Sequence, residues 1–214
     1  MEKNILVVSD LDGTLTHQKS SWQFILENLD LWYNKGEKHL EMFLDKRINY
    51  DEFIRLDVEL LKGVSIQEYK NIVRKITPRE GLKDLFNLLK ECNSQNIIIS
   101  SGLKDVVEWL GRIIPINQYF ANELLSENDY LNGKYIKNVG WDQKNDIMNK
   151  VKISNPQSFI IAFGDTSGDL PLIENSDLSF SCFSDSSELI EKSDYNISHL
   201  DEIIKVIKNE LCES

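Results

Sequence analysis

Four short, uninterrupted apolar runs constrain the fold of this chain more than any other feature of the sequence. Runs that contain β-branched residues and show no alternation are typical of strands buried on both faces of a sheet. Between the runs, apolar residues recur at helical spacing, as in Leu82, Leu85 and Leu89. Strands that alternate with helices predict an α/β fold with a parallel sheet covered on both faces. The four runs are Ile5–Val8, Asn96–Ser100, Ser158–Phe163 and Asp177–Ser181.

The stretch from about residue 18 to 76 interrupts this alternation, because it has no convincing strand. We expect a small helical domain inserted after the first strand. Ser65 and Glu68 fit a capping box at a helix start, and Thr77-Pro78 marks the return to the main domain. The helices are predicted over about residues 20–30, 36–45, 50–62 and 65–76. The predicted domains are therefore a core of residues 1–16 and 77–214 and a cap of residues 17–76.

A β-hairpin is predicted in the second half of the chain, around Leu131–Lys134. The reason is the pair Asn132-Gly133, since Asn-Gly is favoured in the two-residue turns that join antiparallel strands.

The overall charge argues against nucleic acid as a partner. The chain has 214 residues, with 24 Lys and Arg against 35 Asp and Glu, which gives a formal net charge of −11. Affinity for a phosphate backbone comes mainly from Lys and Arg. No apolar run is long enough to span a bilayer, and the three cysteines lack the spacing of a disulfide or metal framework. We therefore expect a cytoplasmic monomer or homodimer without membrane contact.

Two acidic segments each follow a predicted buried strand. They are Asp10-Leu11-Asp12-Gly13-Thr14 and Gly164-Asp165-Thr166-Ser167-Gly168-Asp169. Either one alone reads as a common turn, because Asp bonds its own backbone and Gly accepts positive φ. Together, at the carboxyl ends of parallel strands, they indicate a ligand site. Carboxylates with open positions suit Mg²⁺, which completes its shell with water and phosphate oxygens.

The chain resembles the haloacid dehalogenase superfamily, and within it the phosphoserine phosphatase branch. The resemblance rests on the two acidic segments, on Ser100-Ser101-Gly102 after Ile97–Ile99, and on Lys144 in Trp141-Asp142-Gln143-Lys144. It extends through Ile76–Gly81 and Phe120-Ala121-Asn122, and so spans roughly residues 5–185. It implies a three-layer Rossmann-like core with a helical cap, and a phosphatase that requires Mg²⁺.

The expected roles of the motif residues follow from their chemistry and from the resemblance. Asp10 is expected to attack phosphorus and form an aspartyl-phosphate, and Asp12 to protonate the leaving alcohol. Lys144 would supply positive charge to the nucleophile and phosphate. The phosphate-binding residues are expected to be Thr14, Ser100, Ser101 and Gly102, and the metal site Asp10, the Asp12 carbonyl, Asp165 and, in support, Asp169.

The predicted cap differs from that of phosphoserine phosphatases, which pair an acid with the substrate ammonium and an arginine with its carboxylate. Here these positions fall near Lys19 and at Asp57, so both charges are reversed. Asp57 lies on an apolar helix face, where it either meets the substrate or pairs with a nearby lysine. Arg55 either pairs with acids at helical spacing or turns inward to replace the missing arginine.

The aromatic residues of the cap also allow two interpretations. Trp22, Phe24, Trp32 and Tyr50 either line an apolar substrate pocket or pack between helices.

The sequence thus predicts a magnesium-dependent phosphatase that acts on a small phosphorylated metabolite. Three alternatives stay open: a phosphoserine phosphatase proper, a non-catalytic module that binds phosphate, and an enzyme that transfers phosphate between two positions of a sugar, which no sequence feature demands.

Overall fold

A single mixed sheet forms the centre of the molecule. The computed structural model describes residues 4–140 and 142–212, and within them seven strands follow the order β4-β3-β2-β1-β5-β6-β7. All neighbouring strands are parallel except β3 and β4, which form an antiparallel hairpin. Trp141 of the Lys144 motif lies outside the described residues, as do the predicted ends of the core at 1–3 and 213–214. The strands are β1 (Ile5–Ser9), β2 (Gln95–Leu103), β3 (Gln118–Glu127), β4 (Tyr130–Ile136), β5 (Phe159–Gly164), β6 (Leu178–Cys182) and β7 (Tyr195–Ile197).

Strand β1 occupies the middle of the sheet because its residues are apolar on both faces. All five are buried, and the strand pairs in parallel with β2 on one side and β5 on the other. Ile5 and Val7 pack into one apolar cluster, and Leu6 and Val8 pack into a second cluster across the sheet. The uninterrupted runs of the sequence therefore correspond to strands with two buried faces, and the predicted α/β fold is confirmed.

Helices cover both faces of the sheet and complete a three-layer core. One apolar cluster includes residues of α5, α6 and α10, and the other includes residues of α7, α8 and α9. None of the helices formed by the described residues is long and apolar enough to cross a membrane. These helices are α5 (Leu82–Glu91), α6 (Lys104–Leu110), α7 (Lys144–Ser154), α8 (Leu170–Ile173), α9 (Ser187–Lys192) and α10 (Leu200–Ile207).

A helical insert lies between β1 and α5. Asn49 and Ser65 cap two of its helices by accepting hydrogen bonds from the amides of Glu52 and Glu68. The last helix ends at Val73, earlier than predicted, and Pro78 restricts the backbone before it to extended conformations. The insert comprises α1 (Ser21–Asn28), a π-helical turn (Trp32–Gly36), α2 (Glu37–Leu44), α3 (Tyr50–Leu60) and α4 (Ile66–Val73).

The hairpin exists, but its predicted turn position is wrong. The turn lies at Asn128 and Asp129, whose φ angles of 50° and 65° are those of a type I′ turn. Asn132 and Gly133 instead lie inside β4, where the pairing with β3 shifts register. Gly133 has a φ of 76°, and a Cβ there would come within 3.2 Å of Lys62, just beyond α3. The absence of a side chain at Gly133 therefore allows the insert to lie close to β4.

Replacing Gly133 by Ala should lower the free energy of unfolding more than the same change at Gly63. Both glycines have positive φ, so each substitution carries a backbone cost of about 1–2 kcal/mol. Only at Gly133 would the added methyl also press on the insert, since nothing lies within 4 Å of a Cβ at Gly63. Urea unfolding of both variants measures the difference. Equal losses would contradict a close contact between the insert and β4.

Candidate active site at the strand ends

The functional side chains predicted from the core motifs meet at the carboxyl end of the sheet. Asp10 directly follows β1, Asp165 directly follows β5, and Ser100 lies near the end of β2. The turn after β1 is tight: Gly13 has a φ of 80°, and any side chain there would collide with the Asp165 carboxylate. The glycine thus allows the two acidic segments to approach each other.

Three buried carboxylates and one lysine form the centre of the site. Ligand oxygens of Asp10, Asp165 and Asp169 all lie within 4.8 Å of one another. Lys144, the first residue of α7, donates hydrogen bonds to Asp10 Oδ1 at 2.8 Å and to Asp169 Oδ1 at 2.5 Å. The second oxygen of Asp169 accepts from the amides of Asp165 and Thr166, both at 3.0 Å. Asp169 therefore holds Lys144 and the Asp165 loop together.

The charge of this cluster is not balanced by the protein alone. Burial raises the pKa of Asp10 to about 7, although Lys144 opposes the shift. Burial, with help from Asp10 and Asp169, raises the pKa of Asp165 to about 8. With all three carboxylates ionised, the one ammonium of Lys144 would leave an excess of two negative charges in a buried site, and burial of this charge is why these pKa values are raised. A bound divalent cation would offset that excess and favour the ionised carboxylates, so these residues fit a hard metal ion.

Asp12 faces a different partner from the other acids. Its Oδ2 accepts two hydrogen bonds from Ser21, one from the amide and one from the hydroxyl, each at 2.7 Å. Its Oδ1 is buried and has no partner among the described residues. Burial raises the pKa of Asp12, and the Ser21 hydrogen bonds oppose that shift. The arrangement fixes one oxygen and leaves the other available to a group in the site.

Two of the predicted phosphate-binding residues line the cavity, and the other two, Thr14 and Gly102, are not among its lining residues. Ser100 and Ser101 line the same cavity as Asp10. Thr14 is fully buried and donates to Asp165 Oδ1 at 3.1 Å, so its hydroxyl orients an acid in this structure. The amide of Gly102 donates to Ser100 Oγ at 3.1 Å, and a side chain at Gly102 would press on Asp12.

A cavity of about 290 Å³ extends from these residues into the helical insert. Asp10, Asp12 and Lys144 line its core side. The insert contributes mainly apolar and aromatic side chains, together with Lys19, Ser20, Gln23 and one acid, Asp57. The aromatic residues that line it are Trp22, Trp32, Phe43, Tyr50 and Phe53. Three of the four aromatic residues considered from the sequence thus line the cavity, whereas Phe24 packs against the apolar cluster.

The three charged residues considered for specificity have different environments. Asp57 is 1% exposed and pairs with His39, so a lysine partner, one of the two alternatives for this acid, is not what the structure shows. Arg55 is exposed and makes two 2.8 Å hydrogen bonds to Glu52, so the structure does not bring it into the cavity. Lys19 reaches the cavity edge, where its ammonium pairs with Asp185. Of the three, only Asp57 is buried in the cavity wall.

Sequence patterns did not identify three residues that hold functional side chains or loops of the site in place. Ser21 binds Asp12, His39 binds Asp57, and Arg79 donates to the Gly13 carbonyl at 2.6 Å while its guanidinium stacks on the Phe183 ring. The first two act between segments that are not adjacent in sequence, so spacing gave no signal. Arg79 lies in the segment Ile76–Gly81 that carried the family resemblance, which was the one available indication.

Comparison with known proteins gives a consistent result for most of the chain. A family model described as haloacid dehalogenase-like hydrolase matches residues 7–174. A phosphoserine phosphatase of Methanocaldococcus jannaschii is 26% identical over 213 residues, which cover 97% of this chain and 99% of that protein. A phosphoserine phosphatase of Lactococcus lactis is 26% identical over 176 residues, or 78% of each chain.

Solved structures show the same fold. A substrate-bound phosphoserine phosphatase complex superposes with a TM-score of 0.81 at 22% identity, covering 96% of this chain and 99% of that one. A haloacid dehalogenase family hydrolase from Salmonella enterica serovar Typhi gives a TM-score of 0.85 at 18% identity, with coverage of 98% and 74%.

Replacing Asp165 by Asn should have opposite effects on stability with and without a divalent cation. In EDTA the variant should be more stable at pH 8–9, because a folded-state pKa near 8 means that the ionised carboxylate destabilises the fold as pH rises. With MgCl₂ the wild type should gain about 2.7 kcal/mol at a hundredfold excess over Kd, and the variant should gain much less. Thermal unfolding in both buffers measures this. Asp185→Asn, an exposed acid, is the control and should respond like the wild type.

Proposed function

Because the chain belongs to the haloacid dehalogenase-like hydrolase family, we propose that its site hydrolyses the phosphate monoester of a small molecule with Asp10 as nucleophile. The enzyme is a phosphatase of this family, as the similarity to several phosphoserine phosphatases supports. The observation that carries the proposed chemistry is the meeting of Asp10, Asp12 and Lys144 on one side of the same cavity. An oriented carboxylate, an acid and a cation are the groups that phosphoryl transfer through an aspartyl-phosphate requires.

In the first step, a carboxylate oxygen of Asp10 attacks phosphorus and the bond to the leaving alcohol breaks. Lys144 holds Oδ1, which fixes the carboxylate and leaves Oδ2 as the oxygen proposed to attack. The leaving alkoxide needs a proton, and Asp12 Oδ1 is the partner-free oxygen that would deliver it. Burial supports this role, because it raises the pKa of Asp12 and favours the protonated form.

In the second step, water attacks the phosphorus of the aspartyl-phosphate, and the ionised Asp12 accepts the proton that the water loses. The two Ser21 hydrogen bonds stabilise this ionised form and thereby support the base role. Inorganic phosphate then leaves and Asp10 is restored as a carboxylate. Asp12 thus acts first as an acid and then as a base. Burial favours its protonated form in the first step, and the Ser21 hydrogen bonds favour its ionised form in the second.

Positive charge near the phosphate comes from two sources in this proposal. Lys144 lies between Asp10 and Asp169, which raise its pKa against the effect of burial, so it stays an ammonium. Magnesium, held by Asp10, Asp165 and the carbonyl of Asp12 with Asp169 in support, would supply further charge to the phosphate oxygens when bound. Ser100, Ser101 and the amide of Gly102 are proposed to hold those oxygens, and Thr14 to act through Asp165.

The helical insert is proposed to be the cap domain, over residues 17–76, that selects the alcohol part of the substrate. Its side chains form the far wall of the cavity, and Trp22 Nε1 donates to the Ser101 carbonyl of the core at 3.0 Å. A monomeric or homodimeric state and a cytoplasmic location stay predictions.

A phosphoserine phosphatase is the second candidate, because the similar proteins carry that name. Phosphate release from phosphoserine, compared with release from a panel of phosphorylated alcohols, amines and sugars, tests it directly. Strong selectivity for phosphoserine would support this candidate. Broad turnover of other esters with little release from phosphoserine would exclude it.

Replacing Asp10 by Asn should abolish turnover by removing the nucleophile. We expect a loss on the order of 10³-fold or more in kcat. The amide keeps the size of the side chain and can still accept from Lys144, so folding and magnesium-dependent binding of inorganic phosphate should persist. Phosphate release from p-nitrophenyl phosphate measures the rate, and calorimetry measures phosphate binding. Retained activity would rule out the proposed mechanism.

Replacing Ser21 by Ala should slow the reaction without a matching loss of helix stability. The change removes one of two hydrogen bonds to Asp12, and we expect kcat to fall by about tenfold. Ser20 is the matched control, since it caps α1 by accepting from the Gln23 amide. Ser20→Ala should cost about 1 kcal/mol of stability and leave kcat nearly unchanged. Equal rate losses in the two variants would show that Asp12 does not depend on Ser21.

A further inference from the structure

The insert side of the cavity is mostly apolar and carries one carboxylate, Asp57; its other polar lining residues are Lys19, Ser20 and Gln23. Trp32, Phe43, Phe53 and Ile54 contribute apolar surface around Asp57. Asp57 lies on α3, where burial of Phe53, Ile54 and Val58 turns this face of the helix inward. An acid at such a position is costly unless its oxygens find donors.

Within residues 4–140 and 142–212, only one oxygen of Asp57 has a donor. Nδ1 of His39 lies 2.7 Å from Oδ1 and donates to it when Asp57 is ionised, because a carboxylate can only accept; Oδ2 is buried and has no partner among the described residues. Burial raises the pKa of Asp57 to about 6, although His39 opposes the shift. An unsatisfied buried acceptor costs about 1–3 kcal/mol, and more when it is charged. A donor on a molecule in the cavity would remove that cost.

The cavity is poorly suited to a substrate carboxylate. Among the described residues that line it, the cationic side chains are Lys19 and Lys144, and both are engaged by acids. Lys19 is largely exposed and lies 2.7 Å from Asp185, and Lys144 belongs to the reaction centre. A carboxylate on the alcohol part of the substrate would therefore meet Asp57 without a compensating cation. An ammonium would meet a carboxylate and aromatic surface, both of which attract cations.

We propose that Asp57 binds a protonated amine on the leaving group, and that the substrates are phosphate monoesters of amino alcohols without a carboxylate. This inference rests on the proposed function, because it places the phosphate at Asp10 and the amine at the other side of the same cavity. His39 positions Asp57 by holding Oδ1, so that Oδ2 faces the ligand.

Two pairs of compounds test the preference with wild-type enzyme and magnesium. Aminoalkyl phosphates of two to five carbons are compared with alkyl phosphates in which a methyl group replaces the ammonium. The aminoalkyl ester should have a higher kcat/KM at one or more lengths, by about tenfold or more, the value of a hydrogen bond to a charged group. In the second pair, 2-aminoethyl phosphate should be turned over better than phosphoserine, which differs from it by one carboxylate. A preference for phosphoserine would overturn the proposal.

The variant Asp57→Asn tests whether this residue is responsible. The amide has nearly the same size and can still accept from His39, but it carries no charge. The ratio of kcat/KM for the aminoalkyl and alkyl esters should fall by about tenfold or more. Glu59→Gln is the control on the same helix, because Glu59 is exposed, and it should keep the wild-type ratio. An unchanged ratio in Asp57→Asn would show that Asp57 is structural and would overturn the proposal.

A binding measurement separates this inference from the proposed mechanism. Calorimetry on Asp10→Asn compares 2-aminoethyl phosphate with propyl phosphate, and tighter binding of the amine that disappears in Asp10→Asn/Asp57→Asn supports the inference without turnover. If the amine is preferred but no ester, including p-nitrophenyl phosphate, is cleaved by the wild type, the proposed mechanism fails and the amine site stands. Equal binding of the two compounds overturns the amine site.

Discussion

The site depends on the confinement of three carboxylates around one buried ammonium. Such a cluster is unfavourable on its own, because desolvation opposes each charge and Lys144 can offset only one of the three. The surrounding architecture makes it possible: parallel β1 and β5 bring Asp10 and Asp165 side by side, and α7 begins at Lys144. The cluster lowers stability, but it holds negative charge in place for a divalent cation, and a bound cation would in turn attract a phosphate.

The parts of the structure that could be predicted from sequence are those with a local signal. Uninterrupted apolar runs identified the buried strands, and acidic turns after two of them identified the strand ends that meet. The predicted position of the hairpin turn was wrong. Asn132-Gly133 is a strong local turn signal, but here Gly133 lies inside a strand, where it leaves room for a tertiary contact with Lys62. Tertiary packing, which sequence spacing does not encode, decided that case.

The same limit applies to the site. Asp57 was singled out because a charge on an apolar helix face is a local anomaly. Its partner His39 lies on another helix, and no spacing rule joins them. Thr14 was expected to hold phosphate, yet its hydroxyl is directed at Asp165 because both lie within the tight approach of two loops. Arg55 had two possible orientations in the sequence, and an adjacent acid, Glu52, determined the outcome.

The hydrogen bonds between Ser21 and Asp12 link the helical insert to the acid of the core. Ser21 is the first residue of the insert's first helix, whereas Asp12 belongs to the loop after β1. Any swing of that helix that widened the entrance would strip both donors from the acid in one movement. Asp12 would then lose the two donors that stabilise its ionised form. The acid–base chemistry of the core would thus be coupled, through one serine, to the position of the insert's first helix.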